Sequence, residues 1–272
     1  MAQSIRTSHS DQWKKIIFYT FCGLILFFVV FPIFVIIPIS FSSAKYLTFP
    51  PPGFSLQWYL NYFNRPDWIR ATWLSFKIAI LVAFVATVLG TLAATAIVRG
   101  KFRGKNLIYA FVISPLIMPI IIIALASYFL LAKLKLIGSQ FGLALIHTVI
   151  AVPLVVIIVS NTLKNFDVTL EKASMIMGAN RIRTFFKVTF PLVKTGILSA
   201  AFFAFLTSFD ELVIALFVGG TRVVTLPRRM WEGVRMEIDP TLAAVATLLV
   251  LFSVCVLGMI FVIQSLWGKE SK

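Results

Sequence analysis

A chain of 272 residues that is 60% hydrophobic and only 13% charged, with a mean hydropathy of +0.96, is excluded from the soluble class, where about 25% of residues are charged. Its formal net charge of +15 falls in short segments between long apolar runs. That pattern suits anionic headgroups and the positive-inside bias, and it lacks the basic stripe with interleaved aromatics that nucleic-acid binding requires.

The first uncharged run is Ile16–Phe41, preceded by Arg6, Lys14 and Lys15, with Trp13 as an interfacial anchor. It is too long for the apolar region of a signal peptide and has no small-residue cleavage site, so it stays as a membrane helix. A polar connection to about residue 70 holds a PPPG turn at Pro50–Gly53. Trp58, Tyr59, Trp68 and Trp73 sit near the membrane boundary, where the tryptophans read as interface anchors.

The second run, 78–98, carries Gly90, Ala93, Ala94 and Ala96, small residues that suit close helix packing. A basic link with Arg99, Lys101, Arg103 and Lys105 leads to the third run, 107–132, broken by Pro115 and Pro119. The fourth run, 136–163, contains only His147 as a titratable group, read as packed or interhelical. Cys22 and Cys255 lie within apolar runs and form no metal-binding pattern.

Residues 164–194 are the longest polar interruption and hold six of the 25 basic residues. Asp167 or Thr169 is placed to cap a helix, with Glu171 in its first turn. Leu170, Ala173, Ser174 and Met177 recur at i, i+3, i+4 and i+7, giving a small apolar face. Gly178 ends or bends that helix. A second helical stretch runs from Arg181 to about Thr189, and Pro191 suits the first turn of the next span. Two readings stay open on these grounds: docking on a soluble partner, or lying on anionic lipid.

The fifth run, 196–220, includes Asp210 and Glu211. A carboxylate at mid-membrane costs at least about 2.5 kcal/mol, so such acids face a cavity or a partner. They form a cation-attracting site, with Phe205 and Phe209 adding aromatic faces, or they lie near the outer interface paired with an arginine such as Arg222 or with a partner subunit. A connection with Arg222, Arg228, Arg229 and Arg235 against Glu232, Glu237 and Asp239 either meets an external partner or is solvated. The last run is 241–267. The expectation is an all-α integral membrane protein, one permease domain over 1–272 with six transmembrane helices. With the N-terminus inside, the inward segments hold three, four, six and two of the 25 basic residues, which places both termini and the loop 164–194 in the cytoplasm.

The stretch Lys172-Ala173-Ser174, three residues, Gly178, nine residues, Val188-Thr189-Phe190-Pro191 resembles the EAA loop of the membrane subunits of binding-protein-dependent ABC importers. The spacing matches throughout, with Lys172 where the motif has glutamate, Glu171 one place earlier, and Ser174 for the second alanine. SFDELVIALFVGG at Ser208–Gly220, followed by Thr225-Leu226-Pro227, resembles the C-type permeases of spermidine/putrescine uptake systems. Leu116 stands where an acid is expected in that group.

The resemblance implies a type I importer permease in a bacterial inner membrane, forming half of a pathway for a small cationic or zwitterionic solute, polyamines first. It implies a second, related permease subunit, two ATPase subunits docked on the cytoplasmic loops, and a soluble solute-binding protein outside. Glu171, Lys172, Ala173, Ser174, Gly178 and Pro191 are then the coupling residues, and Asp210, Glu211, Ser208, Phe209 and Trp58 the pathway residues. No G-x-x-x-x-G-K-[ST] phosphate loop and no H-E-x-x-H or G-x-S-x-G pattern occurs. The chain is therefore expected to hold no cofactor or metal and to leave ATP hydrolysis to its partner. The rival class is an ion-gradient-driven transporter of a small amine, for which Asp210 suits a proton relay, although such folds usually carry more spans and an inverted repeat.

Overall fold

The computed structural model describes the backbone of residues 9–236 and 239–269, and the side chains of these except 9–12, 236, 260–261 and 263–269. Arg6, Glu237 and the side chain of Trp267 lie outside the described residues. In chain order the helices are α1 (His9–Ser40), α2 (Gln57–Asn64), α3 (Pro66–Arg99), α4 (Lys105–Ile117), α5 (Ile120–Lys133), α6 (Gln140–Lys164), α7 (Val168–Ile176) and α8 (Arg181–Thr184). A π-helical turn (Phe185–Thr189) leads into α9 (Phe190–Phe209), followed by α10 (Val213–Val218), α11 (Leu226–Met236) and α12 (Thr241–Lys269). No strand occurs among the described residues, only an isolated bridge between Ser42 and Phe54. Among the described residues, five helices are long and apolar enough to cross a membrane, or six if α4 and α5 are one broken span.

Three runs differ from the sequence reading. α3 begins at Pro66, twelve residues before 78, because proline at a helix start loses no intrahelical bond. The third run is two arms bent by 101°. Met118, the residue before Pro119, is extended at ψ 137°, as the clash with a following proline ring dictates. The fifth run is not one helix to 220, since α9 stops at Phe209. The Glu211 carboxylate accepts the Ile214 N–H and starts α10 separately, a side-chain bond that competes with continuation of the helix.

The chain divides into two compact units. In the larger, spanning Pro66–Glu232, α3, α6 and α9 pack against one another. Their shared core is Val82, Ala86, Ala94, Ala151, Val155, Val159, Ala200 and Ala204, all fully buried. Association in lipid depends on close van der Waals contact, which small residues permit. A Cβ on Gly90 would lie 2.5 Å from Val155 Cγ1, and one on Gly196 would strike Thr162.

The same unit holds the start of α3 against α11. Trp68 is 2% exposed and has the Arg229 guanidinium 5.4 Å from its ring. It is therefore a buried packing residue and not an interface anchor. Arg229 also pairs with Asp67 at 2.5 Å and Glu232 at 3.7 Å, while Arg228 pairs with Glu232 at 3.0 Å and donates to the Gly220 carbonyl at 2.5 Å. The connection after 220 is thus braced by its own charges and by Asp67 of α3.

The smaller unit includes α1, α2 and the first part of α12. Much of α1, including Phe18, Leu26 and Phe28, is exposed and apolar, a surface suited to hydrocarbon, where a helix satisfies its own backbone. Ser40 and Tyr59 share a hydrogen bond of 2.7 Å, and the Asn61 amide donates to Thr241 Oγ1 at 2.8 Å. These bonds tie the ends of α1 and α12 to α2.

Candidate functional site

The loop between α6 and α9 is built from local capping. The Asp167 carboxylate accepts the Thr169 N–H at 2.9 Å and also its hydroxyl, so the cap of α7 is Asp167. Those bonds hold its carboxyl below the usual aspartate range. The cap is accordingly at full strength above the ordinary aspartate pKa and is lost on acidification below it. α7 stops at Ile176, and Gly178 follows at φ +91°, a left-handed conformation that glycine adopts without a Cβ clash. The Gly178 and Ala179 N–H groups return to the carbonyls of Met175 and Ser174, closing the helix end. Asn180 accepts the Arg183 N–H at 2.8 Å and starts α8. Ser174 Oγ and Thr184 Oγ1, 3.2 Å apart, join α7 to α8, and Pro191 lies in the first turn of α9.

α7 has an inward stripe and an outward one. Glu171 and Ser174 are buried. Arg99 Nε, at the end of α3, lies 3.0 Å from Glu171 Oε2 and donates to Oε1 at 3.2 Å. Thr189 Oγ1 donates to the same carboxylate at 3.0 Å. Arg99 Nη2 also donates to the Leu163 carbonyl at 3.0 Å, and its guanidinium lies 5.8 Å from the Phe166 ring. One arginine therefore ties the ends of α3 and α6 to α7, and Glu171 ties α7 to the entry of α9. Glu171, read from sequence as a coupling residue, forms an internal brace. Arg99, counted in the sequence only as one of four link charges, is the residue that reading missed.

Outward lie Lys172, Met175 and Ile176, all exposed. Between α7 and the start of α9 runs a groove of about 350 Å³, lined by Leu170, Ala173 and Met177 on one side and Val188 and Pro191 on the other. The apolar positions spaced along α7 thus do share one face, and the motif's proline forms the opposite wall.

The expected pathway residues separate. Asp210 is exposed at the end of α9, and Glu211 is half-buried beside it. Neither carboxylate has a basic partner among the described residues, and Arg222 is exposed and not paired with them. The negative end of the α9 dipole adds to their field. Ser208 is buried and hydrogen-bonds His147 Nδ1 at 2.9 Å, a link from α9 to α6. Phe209 is buried, with its ring 5.0 Å from Phe76 and 5.4 Å from Phe205. Trp58 belongs to the smaller unit, where its indole N–H donates to the Ser42 carbonyl at 2.7 Å. Ser208 and Phe209 are thus buried by their contacts with His147, Phe76 and Phe205, and Asp210 and Glu211 follow them at the end of α9.

Residues 86–266 match the family model described as "Binding-protein-dependent transport system inner membrane component". The chain is 35% identical over 240 residues to the putrescine transport system permease protein PotI of Escherichia coli (strain K12), covering 86% of this chain and 85% of that protein. It is 30% identical over 248 residues to the spermidine/putrescine transport system permease protein PotC of the same strain, covering 90% of each. Its fold is shared with a chain of a bacterial ABC transporter that imports the acidic polysaccharide alginate, with a TM-score of 0.66, 15% identity and coverage of 93% and 97%. The MetNI methionine ABC transporter also has a chain of this fold, with a TM-score of 0.55, 19% identity and coverage of 74% and 93%. With several membrane-length apolar helices, the chain is a multi-pass membrane permease and belongs to the family of binding-protein-dependent transport system inner membrane components.

Proposed function

We propose that this chain forms half of the translocation pathway of an ATP-driven importer, with a polyamine as its cargo and the loop 164–194 as its coupling to a separate ATPase. The cargo reading rests on one observation above the others: the acids Asp210 and Glu211 stand together at the end of α9 without a basic partner among the described residues. Uncompensated carboxylates beside a helix C-terminus attract cations, and Phe205 nearby offers a ring face to an ammonium group. Similarity to the putrescine permease PotI supports the same class.

ATP binding closes two ATPase subunits, the loop moves with them, and the bracing by Arg99 and Glu171 passes that displacement to α3, α6 and α9. A second permease completes the pathway, and a solute-binding protein delivers cargo from outside. Both termini lie in the cytoplasm, in keeping with the basic residues of the N-terminal segment, the 99–105 link and the 164–194 loop. The chain performs no hydrolysis.

The test is uptake of labelled putrescine by cells that lack other polyamine importers and express the assembled transporter. Uptake suppressed by excess spermidine, yet insensitive to an equal excess of a neutral sugar, is the expected result. Putrescine uptake no greater than that of the same cells without the transporter would overturn the cargo assignment.

A further inference from the structure

The 164–194 loop carries an unusual charge balance once its only acid between residues 168 and 190 is placed. Glu171 is 8% exposed and its carboxylate is taken up by Arg99 and Thr189. What remains on the surface of α7, α8 and the π-helical turn is Lys172, Arg181, Arg183 and Lys187, all exposed, and none is in an ion pair among the described residues. Among them stand Ile176 at 85%, Met177 at 81%, Ile182 at 69% and Phe186 at 62% exposure. Four cations around exposed apolar side chains make an interaction surface with a definite electrostatic sign.

We propose that this surface docks into a cleft of the ATPase subunit that has an apolar floor and a rim of carboxylates, with Lys172 and the two α8 arginines meeting that rim. The proposal rests on the coupling reading above and specifies its chemistry. Exposed apolar residues at the centre of such a patch supply desolvated contact, and the surrounding charges set orientation, encounter rate and partner choice. Burial against a cationic rim would leave Lys172, Arg181 and Arg183 unpaired or opposed by like charge, which costs affinity. Arginine in particular favours a bidentate carboxylate partner. With Glu171 withdrawn, the acid left at the surface is the Asp167 cap at the start of α7, and the exposed charges of α7, α8 and the π-helical turn themselves are all basic.

The experiment uses the assembled transporter in nanodiscs of neutral and of anionic lipid, and measures release of the ATPase subunit as salt is raised. In wild type the ATPase is expected to be held more weakly with increasing salt in both lipids. Lys172→Glu should weaken retention roughly fivefold, Arg181→Glu with Arg183→Glu should weaken it further, and both should flatten the salt dependence. Carboxylate-to-lysine changes in the ATPase cleft should restore retention of Lys172→Glu. Ile176→Asp serves as the separate probe of docking itself. Unchanged retention and salt dependence in the charge-reversed variants, with release by Ile176→Asp, would overturn the acidic-rim proposal and leave docking intact. Retention unaffected by all of these variants would overturn the docking reading. A salt and charge effect seen only in anionic nanodiscs would overturn the proposal in favour of lipid contact.

Discussion

Arg99 and Glu171, 72 residues apart in the chain, meet at 3.0 Å at the junction of α3, α6, α7 and α9. The pair is mostly shielded from water, and both members have further partners in Leu163 and Thr189. Removing one member strands the other, whereas exchanging them preserves the charge balance. Glu171→Ala is expected to cost roughly 2 kcal/mol of stability. It should also reduce uptake more than ATP hydrolysis, since the loop would still dock but would pull on α3 less directly. Arg99→Glu with Glu171→Arg should recover part of both. A double-mutant cycle on thermal unfolding, run beside paired uptake and hydrolysis assays, checks this.

At Gly178 the constraint is backbone conformation alone. The residue sits at φ +91° with open space where a Cβ would be, so Gly178→Ala should cost about 1 kcal/mol and leave coupling largely intact. Gly178→Pro demands φ near −65° and should uncouple uptake from hydrolysis while the protein still inserts. Membrane insertion, hydrolysis and uptake measured on both variants separate the two effects.

Packing of α3 on α6 makes the opposite prediction for a glycine. Gly90→Ala pushes a methyl to 2.5 Å from Val155 Cγ1, and overpacking of this kind typically costs about 1–3 kcal/mol. Gly23→Ala in α1, with nothing within 4 Å of its Cβ, should be neutral or slightly stabilising. The melting temperatures of the two purified variants should therefore diverge.

The acid pair is tested by selectivity. Asp210→Asn keeps the shape and removes a charge, so apparent affinity for putrescine should fall roughly fivefold, while any neutral solute the system carries is unaffected. Competition uptake at fixed ionic strength checks this, and an unchanged putrescine affinity would remove Asp210 from the pathway.

Much of the architecture was legible because a membrane span is written as a run of about 20 apolar residues. The same signal misled where helix and hydrocarbon do not coincide. α3 extends back to Pro66 through Asp67, Arg70 and Lys77, charges that made its first turns read as loop. The apolar residues after Glu211 made 196–220 look continuous, although a side-chain bond to the Ile214 N–H breaks the helix there. A cap at Asp167 or Thr169, the break at Gly178 and the face formed by Leu170, Ala173 and Met177 are local and were legible from residue type and spacing, with the Thr169 N–H bond deciding for Asp167. The inward turn of Glu171 depends on Arg99 from a distant helix, and no periodicity records such a partner.

The central claim is that ATP hydrolysis by a docked partner drives this permease. Its most direct test is uptake of labelled putrescine into proteoliposomes containing the assembled transporter and its receptor, with and without the ATPase subunits. Uptake that requires both the ATPase and ATP, and that persists with a protonophore, is the predicted result. Uptake that continues without the ATPase and collapses with the protonophore would contradict it.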